Sequence, residues 1–147
     1  MMQNRKANVN DYEAIINLWE RSVMATHHFL SLKDKEDIKK ELPLYFPHLD
    51  VRLWHDEDFI IGFTAINENH LEALFLDPEQ IGKGYGKQIM RTLINDFGIT
   101  SVDVNKQNEK ATGFYLRCGF EIISEDSTDG AGRPYPILHL KYIEQPK

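Results

Sequence analysis

Early in the chain, apolar residues recur at helical intervals. Tyr12, Ile15, Ile16, Trp19 and Val23 form one stripe after Asp11 and predict an amphipathic helix with a single buried face. A second helix is expected from Ser31 to Leu42, stopped by Pro43. Between them, Thr26-His27-His28-Phe29-Leu30 reads as a polar and aromatic turn. The pattern then changes to strand-like runs. Val51 to Trp54 and Phe59 to Asn67 flank the acidic turn Asp56-Glu57-Asp58, which suggests a hairpin. A tight turn over Asn67 to Asn69 leads into His70 to Leu76, which must end before Asp77-Pro78 because proline offers the sheet no amide hydrogen.

Helical spacing returns with Ile89, Met90, Leu93, Ile94 and Phe97, and Gly98 ends it. Ile99 to Val104 reads as a buried strand. Asn108 to Cys118 reads as a helix with Gly119 placed to cap its C-terminal end. Strands at Phe120 to Ser124 and Ile137 to Tyr142 follow, and a short strand near Asn4 to Ala7 precedes everything else. The order β-α-α-β-β-β-α-β-α-β-β predicts an α/β (α+β) fold with a mixed sheet of seven strands flanked by four helices. No repeat, low-complexity tract or linker divides residues 1–147, so a single domain is expected.

Composition narrows the function classes. The chain has 147 residues, 41% hydrophobic and 27% charged, which suits one ordinary globular domain rather than a disordered or fibrous chain. A formal net charge of −6 argues against a nucleic-acid partner, which calls for a basic surface, and would suit an amine. The single cysteine, Cys118, permits no internal disulfide, and the six histidines show no familiar zinc spacing, so no metal is expected. No apolar run approaches the length of a membrane span, and Met-Met-Gln-Asn-Arg-Lys lacks a signal-peptide stretch, so no membrane association and a cytoplasmic location are expected. Apolar strand edges leave room for a homodimer.

The chemistry centres on Gly82-Lys83-Gly84-Tyr85-Gly86, between a strand end and a helix start. Glycines let the backbone approach a ligand closely, and the amides at a helix start favour phosphate, with Lys83 and Lys87 adding charge. The spacing is not that of a P-loop. Three residues rather than four separate Gly82 from Gly86-Lys87, and Gln88 stands where Ser or Thr would bind magnesium. Nor is it the G-x-G-x-x-G of a dinucleotide fold.

Leu74-Phe75-Leu76-Asp77-Pro78-Glu79-Gln80-Ile81-Gly82-Lys83-Gly84-Tyr85-Gly86 resembles the acetyl-CoA signature of the GCN5-related N-acetyltransferase (GNAT) family. Downstream, Asn105-x-x-Asn108-x-x-Ala111-x-x-Phe114-Tyr115-x-x-x-Gly119-Phe120 is similar to the family's next signature. Ser22-x-x-Ala25-Thr26-His27 and Arg133-Pro134-Tyr135-Pro136 resemble a bacterial subgroup, the YjaB-like acetyltransferases. One position departs from the pattern. Ile81 stands where the family usually has Arg or Gln, with Gln80 one place earlier, so a side-chain contact to the pyrophosphate would be missing.

The resemblance implies acetyl transfer from acetyl-CoA to an amine on a small molecule or peptide, with no metal. It implies that the main chain of Leu74, Phe75 and Leu76 pairs with the pantetheine arm. Ile81, Gly82, Lys83, Gly84, Tyr85, Gly86 and Lys87 would hold the pyrophosphate, and Asn108 would contact the cofactor. Tyr115 would protonate the departing thiolate, a sensible role for a phenol of pKa about 10. Asn108 and Tyr115 are two helical turns apart and are expected on one face. For the base, His70 and Glu72 alternate along the strand entering the site, and His70 falls where some members place a carboxylate. His27 and Tyr135 are expected at the acceptor, and Cys118 in the core. A non-catalytic acetyl-CoA-binding sensor is the alternative, since it would need no base.

Overall fold

The structure is a computed structural model that describes residues 2–143. Strand β1 (Met2–Lys6) leads through a 3-10 turn into α1 (Tyr12–Thr26) and then α2 (Leu32–Tyr45). Three strands follow: β2 (Asp50–Asp56), β3 (Phe59–Asn67) and β4 (His70–Leu76). Then come α3 (Tyr85–Asp96), β5 (Ser101–Asn105), α4 (Glu109–Arg117), β6 (Phe120–Asp126) and β7 (Ile137–Tyr142). The strands run in the order β1-β2-β3-β4-β5-β7-β6. The expected element order and mixed sheet are present. Among the described residues, no helix is long and apolar enough to cross a membrane.

The chain packs as two compact units. One holds the residues up to Asn67 together with Glu72–Gln88, and the other holds Glu68–Leu71 together with the residues from Ile89 on.

In the first unit, Asn8 and Asp11 form a reciprocal capping box that sets the entry to α1. Asp11 also takes two 2.8 Å hydrogen bonds from Arg5, and that guanidinium, with the Asn8 amide, holds its carboxyl down at about 2. The helix lays Ile15, Leu18, Trp19 and Val23 into one cluster with Phe46, Val51, Leu53, Phe63 and Ala65. The β2–β3 hairpin pairs Val51 with Ala65 and Leu53 with Phe63. Trp54 Nε1 donates to Thr64 Oγ1 at 2.9 Å, which satisfies two buried polar groups on adjacent strands.

The second helix departs from expectation. It does not stop at Pro43 but runs to Tyr45, and the Phe46 amide bonds the Leu42 carbonyl. A proline this near a helix end deletes one backbone bond, the one to Lys39. Continuing the helix carries the chain straight into Phe46, which is buried in the core, and that burial offsets the loss.

In the second unit, Ile89, Met90 and Leu93 of α3 are buried, and Gly98 follows at φ 67. β5 and β7 pair antiparallel, with Val102 opposite Leu140 and Val104 opposite Leu138, all buried. β5 pairs in parallel with the start of β4 at His70↔Ser101 and Leu71↔Val102. β6 pairs with β7, and the register shifts between Ile122 and Ser124.

Candidate active site

The glycine loop belongs to the first unit. Asp77 caps the 3-10 turn Pro78–Gln80, accepting from the Glu79 amide at 3.1 Å, and is held by Arg21 at 2.8 Å. The loop then passes Gly82 at φ 84 and Gly84 at φ 86, conformations that L side chains rarely adopt. A Cβ at either position would meet nothing within 4 Å. No other part of the protein competes for that space, and the left-handed backbone itself calls for glycine at both positions. The turn delivers the chain into α3 at Tyr85, whose first-turn amides have no partner within the helix. Tyr85 is anchored by its hydroxyl, which donates to Asp56 at 3.1 Å. Lys83 reaches Gln80 at 3.3 Å, and Ile81 is 47% exposed. The loop thus joins two left-handed glycines to a helix start, with Lys83 and Lys87 beside it.

β4 lies in the same unit from Glu72 on. Leu74, Phe75 and Leu76 are half-buried and Glu72 is exposed. Gly62 of β3 faces their main chain. A Cβ there would collide with the Phe75 carbonyl oxygen and stand 3.0 Å from Leu76 Cα. The Phe75 ring stacks on Phe63 at 5.6 Å and lies 5.8 Å from the ring of His27, at the end of α1. Burial, and then the neighbouring His28, push the His27 imidazole down to about 4.

The second unit carries Asn108 and Tyr115. Asn108 is the N-cap of α4 rather than its first helical residue. Its side chain accepts from the Ala111 amide at 3.1 Å, and its carbonyl accepts from Thr112 Oγ1 at 3.0 Å. Tyr115 is 6% exposed, with Phe114 at 5.2 Å and Phe120 at 6.0 Å, both edge-to-face. Burial, with a smaller contribution from Cys118, pushes its phenol well above the usual tyrosine range. Tyr135 is 7% exposed.

His70 sits in a chain of polar contacts across this unit. Its Nδ1 is 2.6 Å from Ser101 Oγ and its Nε2 is 3.3 Å from Asp103. Asp103 in turn meets His139 Nδ1 at 2.6 Å, and His139 Nε2 meets Asp126 at 2.6 Å. Both nitrogens of His139 thus face carboxylates. Asp103 first, and then Asp126, raise its pKa. Burial would raise the Asp103 carboxyl, but hydrogen bonds from His70 and His139 outweigh it and the net shift is downward.

Residues 23–135 match the family model described as an acetyltransferase (GNAT) domain. The chain belongs to the GNAT acetyltransferase family.

Within that family the chain is 34% identical to the peptidyl-lysine N-acetyltransferase YjaB of Salmonella typhimurium, over 97% of this chain and 99% of that protein. It is 32% identical to the protein of the same name from Escherichia coli, over 95% of each. Its structure is similar to the solution structure of apo-form YjaB from Escherichia coli, at TM-score 0.89 and 31% identity over 99% of both chains. The PaiA N-acetyltransferase from Thermoplasma acidophilum, in complex with coenzyme A, shares the fold at TM-score 0.69 and 24% identity over 97% and 99% of the two chains. The chain is an acetyl-CoA-dependent N-acetyltransferase.

Three features of this GNAT domain escape a reading of the sequence motifs. Gly62 lies in an apolar strand run, where a glycine signals close backbone approach. Asp103 is a lone acid inside the Ile99 to Val104 run, and its two histidine partners lie on other strands. Thr26 precedes His27 and bonds its ring, at a helix end that periodicity places only loosely.

Proposed function

We propose that this acetyltransferase moves the acetyl group of acetyl-CoA to the ε-amine of lysine in a peptide or protein. The similarity to two peptidyl-lysine N-acetyltransferases over nearly the whole chain carries this reading. The left-handed Gly82 and Gly84 and the start of α3 suit a pyrophosphate, with Ile81, Lys83, Tyr85, Gly86 and Lys87 around it. The main chain of Leu74, Phe75 and Leu76 pairs with the pantetheine arm, as an added strand would. Asn108 contributes its side-chain amide to the cofactor while capping α4.

The amine nitrogen attacks the thioester carbonyl carbon directly. The carbon–sulfur bond breaks, the sulfur takes a proton from the Tyr115 hydroxyl, and the second proton that the nitrogen sheds as the amide forms restores that hydroxyl. A buried phenol with a raised pKa is still protonated at neutral pH, which is the state an acid needs. Both ring nitrogens of His70 already face partners, Ser101 and Asp103, whereas Glu72 is exposed. We therefore assign removal of the ammonium proton to Glu72, directly or through water, with His70 ordering the start of β4. Tyr135 supports the acceptor side from the β6–β7 connection. The test is coenzyme A release, with mass spectrometry of a panel of lysine peptides and free amines. Acetylation of lysine peptides is expected, and transfer to free small amines alone would overturn the acceptor assignment.

A further inference from the structure

The hydrogen bonds around Thr26 fix the chemical state of His27. Thr26 Oγ1 donates to the Ser22 carbonyl at 2.7 Å and lies 2.7 Å from His27 Nδ1. A hydroxyl has one proton and a carbonyl oxygen can only accept, so that proton goes to Ser22 and the Thr26 lone pair faces the imidazole. Nδ1 must therefore carry the ring hydrogen. Nε2 is the nitrogen that keeps its lone pair. The backbone is held as well, because the His27 amide bonds the Val23 carbonyl at 2.8 Å at the end of α1.

Two other half-buried rings stand beside this imidazole, Phe29 at 5.2 Å and Phe75 at 5.8 Å. The helix C-terminus favours an imidazolium. Burial first, and then the charge of His28, outweigh it and keep the ring neutral down to about 4. Among the described residues, His28 is the titratable neighbour that acts on it. A neutral ring with an available lone pair attracts an N–H donor, while an imidazolium would repel an ammonium. Aromatic faces beside it favour both a cation and its methylene chain. A nitrogen this weakly basic does not deprotonate an alkylammonium, so its chemistry is that of binding and orientation.

Resting on the acetyl-transfer reading above, we propose that His27 Nε2 accepts an N–H of the incoming amine while Phe29 and Phe75 pack its alkyl chain. The site is thereby selective for a flexible primary alkylamine. Thr26 is the positioning residue, because it sets which nitrogen is the acceptor.

Two measurements test this. Nitrogen-15 NMR of the wild-type ring without substrate should show the Nδ1–H tautomer, and an Nε2–H ring would overturn the inference. In kinetics with a lysine peptide, His27→Phe keeps a ring but removes the lone pair. It should raise the KM for the peptide about tenfold while leaving that for acetyl-CoA unchanged. Thr26→Val frees the tautomer and should raise the peptide KM in the same direction. His27→Gln, with an oxygen near the place of Nε2, should recover part of the loss. If His27→Phe does not fold by circular dichroism, Thr26→Val, which keeps every ring, decides the question. An active wild type with a peptide KM indifferent to these changes overturns this inference alone. A wild type that acetylates no amine overturns the acetyl-transfer reading and this one with it.

Discussion

Gly62 and Phe75 approach so closely that no side chain fits at position 62: a Cβ there would collide with the Phe75 carbonyl oxygen. The obstacle is backbone, which cannot rotate away as a flexible side chain can. Gly62→Ala should therefore lower stability by about 1–3 kcal/mol in urea unfolding. It should also weaken acetyl-CoA binding by calorimetry, because relief of the clash displaces the main chain assigned to the pantetheine arm. A variant as stable as wild type would mean that β3 and β4 yield more easily than their contact suggests.

Gly84→Val tests the loop by a different route. No protein atom lies within 4 Å of the added Cβ, so within the free protein the effect comes from forcing a β-branched residue to φ 86. Left-handed backbone costs an L residue about 1–2 kcal/mol, and the loop can escape by changing direction. Acetyl-CoA affinity should fall at least about tenfold. An unchanged affinity would remove the loop from the site.

Tyr115→Phe keeps the buried ring between Phe114 and Phe120 and removes only the hydroxyl. The expected result is a native circular dichroism spectrum with kcat lowered by roughly a hundredfold or more. Because burial raises the phenol pKa, Tyr115 should contribute no alkaline fall in kcat below about pH 10. Equal activity of the two proteins would reassign the acid.

His139 and Asp103 give a pH signature in stability. The His139 pKa is raised above the ordinary 6.5, so its contribution is complete below that value and is lost as pH rises through the folded value. Asp103 is shifted below 3.8, so its contribution is present above that value and is lost as pH falls through the folded one. The pair therefore stabilises the protein between these limits. His139→Gln should be more destabilising near pH 6 than near pH 9, as read from urea midpoints. A difference independent of pH would refute the charged form of His139.

Local chemistry made much of this legible in the sequence. The hairpin before β4, the glycine stops at Gly98 and Gly119, and the β-α passage at Gly82 to Gly86 all depend on residues adjacent in the chain. Pro43 misleads because the cost of a proline depends on how many helical bonds follow it and on what the next turn buries. Asn108 is legible as a helix-start residue, but whether it is the cap or the first turn depends on a single hydrogen bond. The His70–Asp103–His139–Asp126 chain is beyond sequence reading for a topological reason. Its members come from four strands, and they meet only because β7 inserts between β5 and β6.

That insertion leaves β6 as the last strand of the sheet, with Ile122 48% and Ile123 60% exposed. An outer strand that exposes apolar side chains is a template on which unfolded or neighbouring chains can add, one strand after another. The register shift between Ile122 and Ser124 interrupts the row of free amides and carbonyls at that point. Glu121 lies on one side of it, and Glu125 and Asp126, paired with Lys106 and His139, lie on the other, so both flanks are polar. An irregularity of this kind opposes open-ended strand addition at a sheet edge, and straightening it is expected to trade a small gain in pairing for a loss of solubility.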